Sequence, residues 1–410
     1  MHRIQKNSQY YKFCAYGFLK NLRFFDAFLL LFFLESGISY TQIGVLYALR
    51  EITINISEIP SGILADTYGR KKSLIGSFIL YMVSFIAFYT FSSFYAFLLA
   101  IVLYGIGDAF RSGTHKGMIM DYLELQGQSN QKATYYGHTR SWSQKGSALS
   151  ALIAGALVLY SGSYRSIFLY SVVPYLLNFI NIYTYPSSID YALNSHKKQQ
   201  SASLLFTLKS FIKTVKTPKV LQIINSAALH TAYLKAIKDY IQPIMVQVAL
   251  LIPVLMHVDS KKKSGLIIGI IYFFIFLANS YASRSASRIS NRVSVNVAKV
   301  TLFLGLIAGG ISGAFYYFEY WHLALVFFAC IYFLENIRKP LLVAEIADNV
   351  PQEILTSVIS AQSFFSTLTT SIIAIVIGYF ADTLGIGIAF ILISVGLLLF
   401  TRLVGLMPSK

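Results

Sequence analysis

Ionisable side chains are scarce in the apolar parts of this chain, and they are not scattered. Four apolar stretches carry them at depth: Arg23 with Asp26; Asp108, Arg111, His115 and Lys116; Lys235, Lys238 and Asp239; and Glu335, Arg338 and Lys339. At roughly 100° per residue, Asp108, Arg111 and His115 fall within about 60° of one helical face, and Lys235, Lys238, Asp239 and Gln242 within about 100°. Arg140, Gln144 and Ser147 make a similar stripe, with Trp142 just off it as a stacking face. Carboxylates and an imidazole set among guanidinium groups can exchange protons or hold an anion, because a guanidinium grips a carboxylate through two parallel hydrogen bonds. A plainer reading stands beside this one: Asp108 with Arg111, and Glu335 with Arg338, are spaced to neutralise each other and stabilise packing.

The same inventory excludes other chemistry. There is no nucleotide-binding loop and no nucleophile triad, and His2, His115, His138, His196, His230, His257 and His322 show no ligand spacing. No metal, no cofactor and no enzymatic activity are therefore expected. Cys14 and Cys330 lie in or beside apolar runs and read as reduced thiols.

The elements that must hold these residues follow from composition. Of 410 residues, 56% are hydrophobic, 15% aromatic and 12% charged, and mean hydropathy is +0.60. A soluble domain carries about 25% charged residues, whereas about 12 apolar spans of about 20 residues with short connections would use nearly all of this chain. Apolar runs between polar breaks give spans near residues 14–36, 41–65, 75–91, 94–123, 136–160 and 167–185, then 220–256, 266–283, 300–318, 323–344, 354–380 and 386–403. The fold class expected is an all-α membrane protein with twelve transmembrane helices in two pseudo-symmetric six-helix bundles. Its domains would be residues 1–185, a cytoplasmic linker over 186–219, and residues 220–410. Within the linker, Leu205, Leu208, Ile212 and Val215 recur at helical spacing while Lys209, Lys213 and Lys216 lie elsewhere, which predicts an amphipathic helix on the membrane surface.

Basic residues cluster in alternate connections: the N-terminus, Arg70, Lys71 and Lys72, the linker, and Arg284, Arg288 and Arg292. By the positive-inside rule these sides and both termini are cytoplasmic, while Lys261, Lys262 and Lys263 fall in an outer loop and count against the assignment. The net charge of +17 thus points to lipid headgroups rather than nucleic acid. No cleavage site follows the first apolar run, so no removed signal peptide is expected.

The halves repeat. Asp108 and Arg111 correspond to Glu335 and Arg338, and Asp121 to Asp348, all at one constant offset. Ile43, Gly44 and Tyr47 match Ile268, Gly269 and Tyr272, and Leu19, Lys20 and Arg23 match Leu234, Lys235 and Lys238. Parallel six-span repeats are indicated.

After the second span the sequence runs Gly62, Ile63, Leu64, Ala65, Asp66, Thr67, Tyr68, Gly69, Arg70, Lys71, Lys72, Ser73, Leu74. It resembles the GxLaDxxGRkxxl signature of the major facilitator superfamily, at the loop where that family carries it. Gly62 and Gly69 would permit close packing and a tight turn. A weaker echo, Gly378 to Gly385 with Asp382, follows the eleventh span, whereas the mirror loop at 283–292 keeps charge but loses the aspartate and both glycines. The resemblance implies a gating latch of Asp66 and Arg70 with Asp121. It also implies a cavity lined by spans one, four, seven and ten. The glycine-proline element and early arginine of drug/proton antiporters are missing, which lowers the weight of ordinary drug efflux.

The expected function is secondary active transport of a small solute across a bacterial inner (plasma) membrane by alternating access, coupled to protons, by a monomer. Asp108 is the first candidate for the coupling proton, then His115, with Asp26 and Asp239 next. Arg23, Arg111, Lys116, Arg140, Lys235, Lys238 and Arg338 outnumber Asp26, Asp108, Asp239 and Glu335, so the expected substrate is an organic anion or a chelator. Its contacts would be Arg111, Arg140 and Arg338, with Gln144, Lys235, Lys238 and Glu335. Proton-coupled efflux of lipophilic or cationic compounds, and a non-transporting sensor or receptor on the same fold, remain as alternatives.

Overall fold

A computed structural model describes residues 6–191, 218–255, 257–290, 297–349 and 352–404. The first half comprises α1 (Ser8–Lys20), a 3-10 turn (Phe24–Ala27), α2 (Leu29–Glu35), α3 (Tyr40–Tyr68), α4 (Arg70–Thr90) and α5 (Phe94–Arg111). It continues through α6 (Thr114–Leu125), α7 (Lys132–Ser161), α8 (Ser166–Tyr183) and the short α9 (Ser188–Tyr191). The second half comprises α10 (Pro218–Ile237), a 3-10 turn (Lys238–Tyr240), α11 (Ile241–Leu251), α12 (Ser260–Ser290), α13 (Val297–Tyr317), α14 (Trp321–Asn349), α15 (Gln352–Leu384) and α16 (Ile386–Leu403). The pairs α1–α2, α5–α6 and α10–α11 each make one span, so the twelve expected spans are present, six in each half. The amphipathic helix expected within 202–216 lies outside the described residues, as does Arg292.

Three of the spans that carry buried charge are broken where the charge sits. The first runs from Ser8 rather than Cys14, capped by Asn7, whose side chain accepts from the Tyr10 amide at 3.0 Å. It then opens into a 3-10 turn flanked by Arg23 and containing Asp26. The seventh opens at Lys238 and Asp239, the position that the repeat pairs with Arg23. In the fourth, Gly113 at φ +73° separates α5 from α6, a backbone conformation that glycine adopts without strain. Eight described helices are long and apolar enough to cross a membrane. The first, second, fifth and seventh spans are the exceptions.

Lys261, Lys262 and Lys263 lie in the first turn of α12, not in a loop. There Lys261 stands 5.5 Å over the Tyr164 ring.

Two compact units form: Met1–Phe32, Leu49–Ser201 and Lys261–Phe273 in one, and Phe33–Ala48, Ala202–Ser260 and Phe274–Lys410 in the other. In the first, α4 lies along α5, where the Ser77 hydroxyl donates to the Gly107 carbonyl and the Ser84 hydroxyl to that of Ala100, both at 2.8 Å. Phe25, Phe85, Phe88 and Phe168 interlock beside them. Gly155 and Gly269 let α7 and α12 meet backbone to backbone.

In the second unit the start of α3 packs on the end of α15. Asp382 caps α3 from outside its own helix: Tyr40 N–H donates to Oδ1 at 2.9 Å, Thr41 N–H to Oδ2 at 2.7 Å, and the Thr41 hydroxyl to Oδ2 at 2.6 Å. Gly44 and Gly378 leave no room for a Cβ at this crossing. The echo of the signature after the eleventh span thus supplies a helix cap. A carboxylate on two first-turn amides stabilises by about 1 kcal/mol, so Asp382→Ala is expected to lower the thermal unfolding midpoint, and Asp382→Asn to recover part of the loss. A midpoint unchanged in both would show that the cap contributes nothing.

Candidate functional site

The centre of the first unit is an ion cluster built from α4, α5 and the turn after α1. Arg111 Nη2 donates to Asp108 Oδ1 at 2.5 Å and its Nε to the same oxygen at 3.1 Å. The Tyr81 hydroxyl, from α4, donates to Asp108 Oδ1 at 2.5 Å and accepts from Arg111 Nε at 2.9 Å. Arg23 reaches Asp108 at 3.7 Å and Asp26 at 3.9 Å. Asp108 is thereby shared between two guanidinium groups and a phenol.

Beside the cluster lies a cavity of about 370 Å³. Its lining includes Tyr16, Lys20, Arg111, His115, Lys116, Tyr136, Arg140 and Gln144, four of them cationic, and among the described residues no acidic side chain lines it. The His115 ring stacks on Tyr16 with centroids 3.5 Å apart and planes 8° from parallel, and its Nε2 meets the Tyr185 hydroxyl at 3.2 Å. Lys20 stands 5.9 Å over the Tyr16 ring and Lys116 5.5 Å over that of Tyr136. Four expected site residues, Arg111, His115, Arg140 and Gln144, therefore meet at one cavity. Trp142 does not line it; Lys145 covers its ring at 4.4 Å. Tyr16, Tyr81, Tyr185 and Lys20 were not foreseen as site residues. With 29 tyrosines in the chain, no pattern singles these out.

The second unit treats the repeated acid and arginine differently. Arg338 is fully buried and bonds the Ser226 carbonyl and the Thr301 hydroxyl, the latter at 3.3 Å. Glu335 turns to its neighbours on α10: the Thr231 hydroxyl donates to Oε1 at 2.6 Å, and His230 Nδ1 lies 2.8 Å from Oε2. Lys238 pairs with Asp239 at 3.8 Å, and Lys235 lies on the last turn of α10.

At the signature loop, Arg70 forms a short ion pair with Asp121 and a longer contact of 3.5 Å with Asp66. The Asp121 side chain is 11% exposed and that of Asp66 70%, so Asp121 holds the arginine. Gly117 on α6 makes the room, since a Cβ there would stand 2.5 Å from Arg70 Nη1. Gly69 has φ +104°, as the tight turn requires, whereas Gly62 faces open space and its expected close packing is not seen. Asp190, on α9, was not anticipated: it accepts from the Lys71 amide at 2.8 Å and fills the space a Gly69 side chain would need.

A family model described as the Major Facilitator Superfamily matches residues 17–367. The chain belongs to that superfamily. It is 26% identical over 242 residues to the uncharacterized MFS-type transporter YxaM of Bacillus subtilis (strain 168), a match spanning 58% of each protein. Among superfamily structures, it superposes on the nucleoside transporter NupG with a TM-score of 0.78 at 13% identity, over 97% of this chain and 98% of that one. A D-xylose-proton symporter superposes with a TM-score of 0.63 at 12% identity, over 94% and 95% of the two chains. At these identities the likeness is one of fold: two six-helix halves of a multi-pass membrane transporter.

The Arg70 geometry makes a direct forecast. Asp121→Asn leaves a half-buried guanidinium without its charged partner and is expected to cost about 1–3 kcal/mol, whereas Asp66→Asn, at an exposed pair, should cost less than about 0.5 kcal/mol. Thermal unfolding of the purified protein ranks the two. Equal losses, or the larger loss at Asp66, would contradict the assignment of Asp121 as the holder.

Proposed function

We propose that this superfamily member is a secondary active transporter of an organic anion, working by alternating access and driven by a proton gradient. The observation that carries the reading is the cavity of about 370 Å³ lined by Lys20, Arg111, Lys116 and Arg140 with no acid among its described lining residues. Several cations facing one cavity repel one another, and an anion that fills it for part of the cycle relieves that repulsion. Arg140 and Arg111 are the proposed carboxylate or phosphate contacts, with Gln144 as a neutral donor. The half-buried Tyr136 ring would take the apolar body of the solute. Arg111 is engaged by Asp108, so an entering carboxylate competes with an internal one, and Asp108 becomes available to a proton as the substrate displaces it. His115, at the same cavity, is the second acceptor, and Asp26 and Asp239 follow.

The fold leaves solute class open, since its structural likenesses include transporters of nucleosides, of peptides and of xylose. Efflux of cationic compounds is the less favoured reading because the described lining offers no carboxylate to receive them. Lys235, Lys238, Glu335 and Arg338 are proposed as the second half's own substrate contacts, and the Arg70–Asp121 pair to act as part of a cytoplasmic latch with Asp66. A monomer in the inner membrane with cytoplasmic termini fits the distribution of basic residues.

A ligand at a hundredfold excess over its Kd stabilises the folded state by about 2.7 kcal/mol, so a thermal-shift panel tests the reading without knowledge of the solute. Di- and tricarboxylates, phosphorylated metabolites and chelators are expected to include stabilisers. Their apparent affinity should fall roughly tenfold or more in Arg140→Gln, the loss of one charged hydrogen bond. Stabilisation by cationic amphiphiles alone, undiminished in Arg140→Gln and Arg111→Gln, would refute the anion site.

A further inference from the structure

The two halves of the repeat have taken their equivalent acids in opposite directions. Asp108 is occupied by two guanidinium groups and a phenol. Its counterpart Glu335 is held by an imidazole and a hydroxyl, while Arg338 bonds Ser226 and Thr301. A proton reaching Asp108 must displace two fixed cations. One reaching Glu335 meets partners that can rearrange their own hydrogens.

His230 is fully buried, and its Nε2 has no hydrogen-bond partner among the described residues. A carboxylate is an acceptor, so the Nδ1 facing Glu335 carries the ring hydrogen and Nε2 is left with a bare lone pair. An unpaired lone pair on a buried ring is costly as mere architecture. We propose that His230 and Glu335 form a further proton-binding site, in the second half and additional to Asp108 in the first. A proton arriving from water binds Nε2, the Nδ1 hydrogen passes to Glu335 Oε2, and the pair becomes a neutral imidazole with its hydrogen on Nε2 beside a neutral carboxylic acid. One proton is gained, no other bond is made or broken, and release reverses the order. Gly305 of α13 abuts Nε2 so closely that no Cβ would fit, so α13 closes the entry to this atom here and must shift for the proton to pass.

Charged neighbours are few. Arg338, on α14 with Glu335, is the further charge that acts on both members. From α13 the site receives Gly305 and, through Arg338, Thr301. The α10 tyrosine Tyr233 bonds Ser394 at 2.8 Å. Ionisable residues of α15 occur at its ends, Glu353 and Asp382.

Coupling through this pair rests on the proton-driven reading above, but the site itself can be tested without a solute. Infrared difference spectra of the reconstituted full-length protein, taken between about pH 8 and pH 5, should show a protonated-carboxyl band that is lost in Glu335→Gln and kept in Asp108→Asn. A band that survives in Glu335→Gln, or no band in the wild type, overturns the proposal. Should Glu335→Gln fail to fold, Thr231→Val keeps the acid and removes one donor; the band's pH midpoint must then move, and a midpoint that stays overturns the proposal equally. Finding the Glu335 band while the stabilising anion, radiolabelled, is taken up without regard to an imposed pH gradient supports the proton site and defeats the coupling reading.

Discussion

A guanidinium within the thickness of a membrane has to be held, and the first half is arranged around holding Arg111. On insertion scales a single such charge costs roughly 2.5 to 3.5 kcal/mol at the bilayer centre, which a lone helix cannot offset. The solution draws on Asp108 one turn back on α5 and Tyr81 across on α4, while Arg23, brought in by the turn after α1, competes for the same carboxylate. Two cations share Asp108, with Asp26 near the second. The surplus positive charge faces the cavity, where Lys20, Lys116 and Arg140 add to it.

That arrangement explains the broken helices. A continuous α-helix would hold Arg23 and Asp26 at fixed angles on its face, whereas the 3-10 turn opens the hydrogen-bond ladder and lets both reach the cluster. The repeat retains the break at Lys238 and Asp239 although the second half uses it differently. Conservation of the backbone device with divergence of its side-chain partners is what internal duplication followed by specialisation would leave.

Spans, repeat and signature loop were legible in the sequence because each is a local pattern: a run of apolar residues, a constant offset, a short motif. So was the shared face of Asp108, Arg111 and His115, which needs nothing beyond helical periodicity. The start of the first span was not, since Ser8, Gln9 and Lys12 read as polar, yet Gln9 and Tyr10 are buried once neighbouring helices pack on α1. Carboxylates that cap a helix distant in sequence, Asp190 on α4 and Asp382 on α3, leave no local trace either. Tyrosines at the cavity are chosen by tertiary approach alone. Glu335 and Arg338 carry the same spacing as Asp108 and Arg111, and spacing could not reveal that Asp108 is held by guanidinium groups and Glu335 by an imidazole and a hydroxyl.

The polar character of the first and second spans has a consequence for how the chain enters the bilayer during synthesis. Neither is a long unbroken apolar helix, the first because it is interrupted at Phe24–Ala27 and the second because Arg50, Glu51, Glu58 and Asp66 lie along it. The first described helix long and apolar enough to cross a membrane is α4, and its first turn carries Arg70, Lys71 and Lys72. Charges so placed favour keeping that end of a span on the side of synthesis. A span that inserts in this way would orient the two before it, which could then enter as its partners and not as independent units.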